Sequence, residues 1–326
     1  MAGALNRALA DALHADPRVI VYGEDVGTLG GVFRVTDGLA AAFSDQRVFD
    51  SPLAESGIVG TAIGMAMYHM RPVVEMQFDA FAYPAFEQIA SHLAKMHNRT
   101  RGRVSLPIVI RIPYGGGIGG VEHHSDSSEA YWVHTPGLRV VVPSDASDAF
   151  WLLRQAIASD DPVIFLEPKR RYWAKGVIAA AAPADFDRAV VRRHGCDVTL
   201  VGYGSMVSTL LETADAAAAY GLSAEVIDLR SLSPLDEATL AASVRRTGRA
   251  VVVHEAAGFG GFGAEVVARL TELCFHQLQA PIARVTGFDI PYPPPMLEQH
   301  HLPSVDRILD AIDRLQFDDE VVLPCG

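Results

Sequence analysis

Cysteine is scarce: Cys196, Cys274 and Cys325 are three in number and far apart, which excludes a disulfide framework or a paired metal knuckle. A reducing cytoplasm is the expected compartment. No apolar run reaches the ~18 residues that a membrane helix needs. The start, Met1-Ala2-Gly3-Ala4-Leu5-Asn6-Arg7, lacks the basic, apolar and small-residue regions of a signal peptide, so neither a membrane nor export is expected. Basic charge is also short. With 27 Lys and Arg against 39 Asp and Glu, the formal charge of -12 argues against nucleic acid, whose binding rests on clustered cations at phosphates. There is no G-x-S-x-G elbow for a nucleophilic hydrolase, and no internal repeat that would signal a solenoid.

The 326 residues, 49% hydrophobic, suffice for a large core and two domains of ordinary size. Apolar β-branched runs alternate with helical patterns, predicting an α/β protein with mostly parallel sheets flanked by helices. Strands are expected at Val19 to Tyr22, Val73 to Gln77, Ile108 to Ile112, Arg139 to Val142 and Val163 to Leu166. Helices are expected over Ala4 to His14, over Tyr83 to Asn98 with Pro84 in its first turn, and from an N-cap at Ser144 through Ala158. Composition breaks after Pro168, and the one dense basic run, Lys169-Arg170-Arg171, reads as linker. The expected division is 1–175, a linker at 176–193, and a smaller α/β domain at 194–326. That domain opens with Val198-Thr199-Leu200-Val201 and continues through Ala224 to Ile227 and Ala250 to Val253.

Glu55 is a lone carboxylate in the apolar stretch Leu53-Ala54-Glu55-Ser56-Gly57-Ile58-Val59-Gly60. At the start of a helix it gains ~0.3 to 1 kcal/mol from the dipole, which alone could explain it. Its apolar flanks also predict poor hydration, which raises a carboxyl toward the range of proton exchange near neutrality. Gly57, Gly60 and Gly64 each cost a helix ~1 kcal/mol against alanine, so another backbone, of this chain or a partner, is expected to pack there. Gln77 and Phe81 read either as a strand end and a core aromatic, or as an amide and a flat wall for a heteroaromatic ligand.

Gly115, Gly117 and Gly120 spell a formal G-x-G-x-x-G, but the loop runs into Val121-Glu122-His123-His124-Ser125 rather than opening a helix, against a dinucleotide site. A flexible loop presenting His124 to a cavity is expected instead. Glu122, His123, His124 and Asp126 could be taken as a metal cluster, though adjacent histidines on irregular backbone seldom converge on one ion. His124 suits acid/base work, with an ordinary pKa near 6.5.

Three runs together resemble the β subunit of thiamine-diphosphate-dependent 2-oxo acid dehydrogenases. They are Asp50 to Gly60, Glu75-Met76-Gln77-Phe78-Asp79-Ala80-Phe81 through Gln88, and His124-Ser125 ahead of Glu129-Ala130. Gly23-Glu24-Asp25-Val26-Gly27, His134 to Leu138 and Asp228 to Asp236 extend the resemblance over nearly the whole chain. It implies a transketolase-like pyrimidine-binding domain followed by a transketolase C-terminal domain. By the same resemblance, Glu55 would bond the cofactor's pyrimidine nitrogen, and Leu53, Gln77 and Phe81 would line the pyrimidine pocket. His124 would manage protons at the reactive end during acyl transfer to a lipoyl arm.

The family's Gly-Asp-Gly stretch with paired asparagines for magnesium and diphosphate is missing, and Asn6 and Asn98 are the only asparagines. The resemblance therefore implies an α subunit that holds diphosphate and magnesium, in an α2β2 tetramer with interfacial sites. It also implies a lipoyl-bearing dihydrolipoyl acyltransferase core as partner, docked on the acidic C-terminal domain. A monovalent cation such as potassium is implied at backbone carbonyls of Ile108, Val109, Ala156, Ser159 and Asp161. Phe165-Leu166-Glu167-Pro168-Lys169 looks closer to the branched-chain form than to the pyruvate form, with pyruvate or acetoin chemistry as alternatives. A non-catalytic scaffold and an NAD-binding oxidoreductase are the readings from other classes.

Overall fold

The β-branched runs form two sheets in the computed structural model, which describes residues 1–316; Cys325 and the tail of the expected second domain lie outside the described residues. In chain order the strands are β1 (Val19–Gly23), β2 (Val48–Asp50), β3 (Arg71–Glu75), β4 (Val109–Tyr114), β5 (Arg139–Val141), β6 (Val163–Pro168), β7 (Val190–Arg193), β8 (Val198–Gly202), β9 (Ala224–Asp228), β10 (Ser231–Ser233), β11 (Ala250–Ala257) and β12 (Ala283–Gly287). The first sheet runs β10-β5-β6-β4-β3-β1-β2 and the second β12-β11-β8-β9-β7. Only β10 on β5 and β7 on β9, at sheet edges, pair antiparallel. β1, β4 and β6 are buried along their whole length, as strands covered by helices on both faces must be.

Strand order places the site. From β1 the chain moves to β2 on one side, then returns to β3 on the other before going on to β4. The crevice at the carboxyl ends of β1 and β3 is thus a topological switch point, where ligands of open α/β sheets bind.

Arg111 on β4 holds that end of the sheet together. Its side chain is 1% exposed, and it donates to Glu75 Oε2 on β3 at 2.5 Å and to both oxygens of Glu167 on β6 at 2.7 and 2.9 Å. Tyr172 OH adds a bond to Glu167 at 2.6 Å. Every charge in this set has a partner, which is the condition for leaving ions inside a core.

Several expectations change. Asp145, not Ser144, caps the Ala146–Ala158 helix by accepting from Asp148 N; the Ser144 hydroxyl instead donates to Asp228 across the domain junction. Tyr83 to Asn98 is not one helix. A 3₁₀ segment, Asp79–Ala85, passes through a π-helical stretch, Gln88–Leu93, into a short α-helix, Ala94–Arg99. Pro84 lacks the N–H that a regular helix would need there. Val190–Arg193, expected in the linker, is an edge strand of the second sheet, and Lys169 is fully buried rather than in a linker.

The glycine loop is packed rather than loose. A Cβ at Gly115 would fall on Glu255, one at Gly116 on Tyr292 and one at Gly117 on Arg170. Gly117 N also donates to Glu298 Oε1 at 2.6 Å, so the second domain crowds Gly115 and Gly116 while Arg170 of the first crowds Gly117, and the positive φ of Gly115 and Gly117 favours glycine there. Arg230 to Asp148 at 2.9 Å and Tyr203 to Glu129 at 2.6 Å bind the same junction.

Arg111→Leu would strand two buried carboxylates, so we expect it to lose about 3–5 kcal/mol of stability. Urea unfolding measures this, and a loss below about 1 kcal/mol would remove the clamp from the account.

Candidate active site

Two groups of side chains meet at the switch point. The first lies at the ends of β1 and β3. Gln77 Nε2 donates to Asp25 Oδ2 at 2.8 Å; because a carboxylate only accepts, this fixes the amide and leaves the Gln77 carbonyl facing away from Asp25. Glu24 is buried with Oε1 unpartnered. Burial pushes its carboxyl up, and the charges of Glu55 and Asp25 add to this, which places Glu55 in the same group.

Glu55 is the first residue of the Glu55–Met67 helix, so the dipole reading holds in its geometry. Tyr22 OH donates to Ile58 O at 2.7 Å and seats this helix on β1. The predicted shielding is absent from the chain itself: Leu53 is 80% exposed, Ala54 is exposed and Glu55 is only half-buried. Among the described residues, no other backbone packs on the helix glycines. A Cβ would meet only the Ala54 side chain at Gly57 and Gln88 Oε1 at Gly60, and nothing within 4 Å at Gly64. The same surface continues into exposed Met67 and Tyr68.

The second group surrounds Phe78, one residue beyond Gln77. The His124 ring meets Phe78 edge-on at 4.3 Å and Phe81 at 5.4 Å between centroids. His123 stacks on Phe81 at 6.2 Å. His124 Nδ1 and Ser125 Oγ are buried without partners. Burial lowers His124 below the usual imidazole range, with His123 and Lys169 acting in the same direction. Asp79 accepts from Ser128 N and Oγ, and the Ser128 hydroxyl in turn accepts from Trp132 Nε1 at 2.6 Å, fixing the turn that carries Phe78 and Phe81.

The predicted residues Glu55 and Gln77 therefore fall in one group, Phe81 and His124 in the other, and Leu53 on the rim. Sequence reasoning gave no role to Asp25, Phe78 or Lys169. The signal for Lys169 was its place immediately after β6, at the head of the basic run Lys169-Arg170-Arg171.

Ile108, Val109, Ala156, Ser159 and Asp161 lie at the opposite, amino-terminal edge of the sheet, remote from the carboxyl ends. Ile108 O accepts from Val163 N, Ala156 O from Ser159 N and Ser159 O from Arg71, while the Asp161 carboxylate accepts from Arg139. A carbonyl has two lone pairs, so these oxygens keep acceptor capacity. Among the described residues, no three His, Cys, Asp or Glu side chains are grouped to hold a metal, the His123–His124 loop included.

A two-domain α/β chain with a carboxylate, an amide and an aromatic wall at its switch point is of the transketolase type. Residues 1–174 match the transketolase pyrimidine-binding domain, and residues 187–308 the transketolase C-terminal domain. The chain is 57% identical to the 3-methyl-2-oxobutanoate dehydrogenase β subunit of Mycobacterium tuberculosis, covering 97% of this chain and 91% of that one. It is 54% identical to the pyruvate dehydrogenase E1 β subunit of Leifsonia xyli (96% and 94%) and 45% identical to the 2-oxoisovalerate dehydrogenase β subunit of Pseudomonas aeruginosa (97% and 94%). A solved structure described as a split-gene transketolase, inactive β4 tetramer, superposes with a TM-score of 0.80 at 25% identity over 96% of both chains. The chain belongs to the family of 2-oxo acid dehydrogenase E1 component β subunits.

Glu129 at the domain junction is fully buried, and burial raises its carboxyl to about 7 from 4.5. A raised carboxyl binds its proton more tightly in the folded state, so stability should fall as pH rises from about 4.5 to about 7 and level off above. Glu129→Gln, followed by thermal unfolding across this range, should flatten that slope; an unchanged slope would assign it to other groups.

Proposed function

We propose that this chain supplies the pyrimidine half of a thiamine diphosphate site in the oxidative decarboxylation of a branched-chain 2-oxo acid. The observation that carries this reading is the side-chain set at the switch point: Glu55, the Gln77 carbonyl turned from Asp25, and the Phe78–Phe81–His124 wall. These residues fit the aminopyrimidine end of the cofactor. The unpartnered Glu24 Oε1, His124 Nδ1 and Ser125 Oγ leave polar atoms to be satisfied there. When bound, the cofactor supplies carbanion stabilisation. Glu55 holds a proton at the pyrimidine ring nitrogen, Leu53, Gln77 and Phe81 orient the ring, and the aromatic wall excludes water. His124 would give or take a proton in acyl transfer to a lipoyl arm.

An α subunit holding magnesium and diphosphate, in an α2β2 tetramer, completes the site in this reading. The open space at Gly64 of the Glu55–Met67 helix and the exposed Leu53, Met67 and Tyr68 support a partner at this surface. The substrate assignment rests on the 57% identity to the 3-methyl-2-oxobutanoate relative, against 54% to a pyruvate one. The acidic C-terminal half suits docking of a basic module of the acyltransferase core. Free Cys196 and Cys274 are in keeping with the cytoplasm. Potassium would use the spare carbonyl capacity near Ile108, Val109, Ala156, Ser159 and Asp161, and would stiffen the edge of the first sheet. We divide the chain after residue 175, with the second unit beginning ahead of Val190.

Glu55→Gln and His124→Asn should be tested in the assembled enzyme with 2-oxoisovalerate, against both an artificial electron acceptor and a lipoyl domain. We expect Glu55→Gln to lose at least about 100-fold with either acceptor, the scale of losing a positioned proton-transfer group, and His124→Asn to lose more with the lipoyl domain. Full activity of Glu55→Gln would overturn the reading.

A further inference from the structure

The Lys169 side chain is buried, and its ammonium has no acceptor within hydrogen-bonding distance. It follows β6, and its Nζ lies 6.0 Å from the centroid of the Phe78 ring, the ring that His124 meets edge-on at 4.3 Å. A cation this deep is costly unless charge around it answers. Four carboxylates do so at longer range: Asp79 from the Phe78 turn, Asp126 from the His124 loop, and Glu255 and Glu298 from the second domain. None bonds it directly, so its field is not cancelled by a contact partner.

We propose that Lys169 is a positioning residue for His124: its buried charge, set against the Phe78 ring, keeps the His124 imidazole neutral and ready to accept a proton. The arrangement supports this in three ways. Both groups pack against Phe78, Lys169 Nζ at 6.0 Å and the His124 ring at 4.3 Å from its centroid, and Lys169 is fully buried, so its charge is screened less than it would be in water. The Asp79–Ser128–Trp132 bonds fix the turn that carries Phe78. The other ionisable groups acting on His124 are Glu122 and His123 of its own loop, and of these only Glu122 favours the charged form. Burial, His123 and Lys169 all oppose it, so no strong carboxylate partner overrides the lysine. The inference concerns the proton state of His124 and rests on the proposed role of that residue only for its effect on turnover.

Two readings of Lys169→Met and Lys169→Arg separate the inference from the proposed function. In the full-length chain carrying ¹³C-labelled histidine, NMR titration of His124, assigned with His124→Asn, should show a midpoint raised by about half a unit in Lys169→Met and restored in Lys169→Arg. In the assembled enzyme, the acid limb of kcat for acyl transfer to a lipoyl domain should move to higher pH by the same amount and return with Lys169→Arg. If Lys169→Met alone fails to fold because Asp79 is left uncompensated, Asp79→Asn/Lys169→Met removes both charges and is titrated in its place. An unmoved NMR midpoint overturns the inference. A moved midpoint with an unmoved acid limb leaves Lys169 acting on His124 and overturns the acid/base role of His124 in turnover.

Discussion

The geometry of the site depends on one buried ion cluster, Arg111 between Glu75 and Glu167. These residues sit on β3, β4 and β6, and the chain leaving those strands carries several of the candidate side chains. Gln77 and Phe78 follow β3, the glycine loop and His124 follow β4, and Lys169 follows β6. Charges buried this deeply stabilise only when every one is met, and they penalise any other register of the strands. The cluster thus converts strand order into fixed distances between an amide, an aromatic wall and an imidazole. The second domain completes the constraint by pressing Glu255, Tyr292 and Glu298 onto the glycine loop.

What this frame holds is unfinished. Glu55 stands at the mouth of the crevice with Leu53 and Ala54 exposed, and of the glycines of its helix Gly64 faces open space while Gly57 and Gly60 meet only side-chain atoms of Ala54 and Gln88. Glu55 itself is only half-buried. The chain buries Glu24, Asp79 and Lys169 instead, together with the His124 Nδ1 atom. A partner surface that covers Leu53 and the glycine face would bring Glu55 into the same dry environment without any change within this chain.

The central strands were legible because parallel strands buried on both faces leave continuous β-branched runs, as in Val19 to Tyr22 and Val163 to Leu166. Glu55, Gln77, Phe81 and His124 were singled out as candidates in the sequence and given roles by the resemblance, and the structure gathers them in two groups at the carboxyl ends of the strands. What escaped depends on tertiary contact. Ser144 and Asp145 are both good caps, and only the approach of Asp228 decides between them. The glycine loop read as flexible because crowding by Glu255 and Tyr292, more than 100 positions away in sequence, has no local signature. Lys169 read as linker because a basic run normally marks solvent, and β10 is too short to announce itself. The Arg111 cluster spans separations of 36 and 56 residues that no periodicity connects.

The central claim is that this chain holds half of a cofactor site. Calorimetric titration of thiamine diphosphate with magnesium into the chain alone, and into the chain assembled with its α partner, tests it most directly. The account predicts strong binding only in the assembly, with no saturable heat for the chain alone at millimolar cofactor. Equal affinity in the two titrations would contradict it.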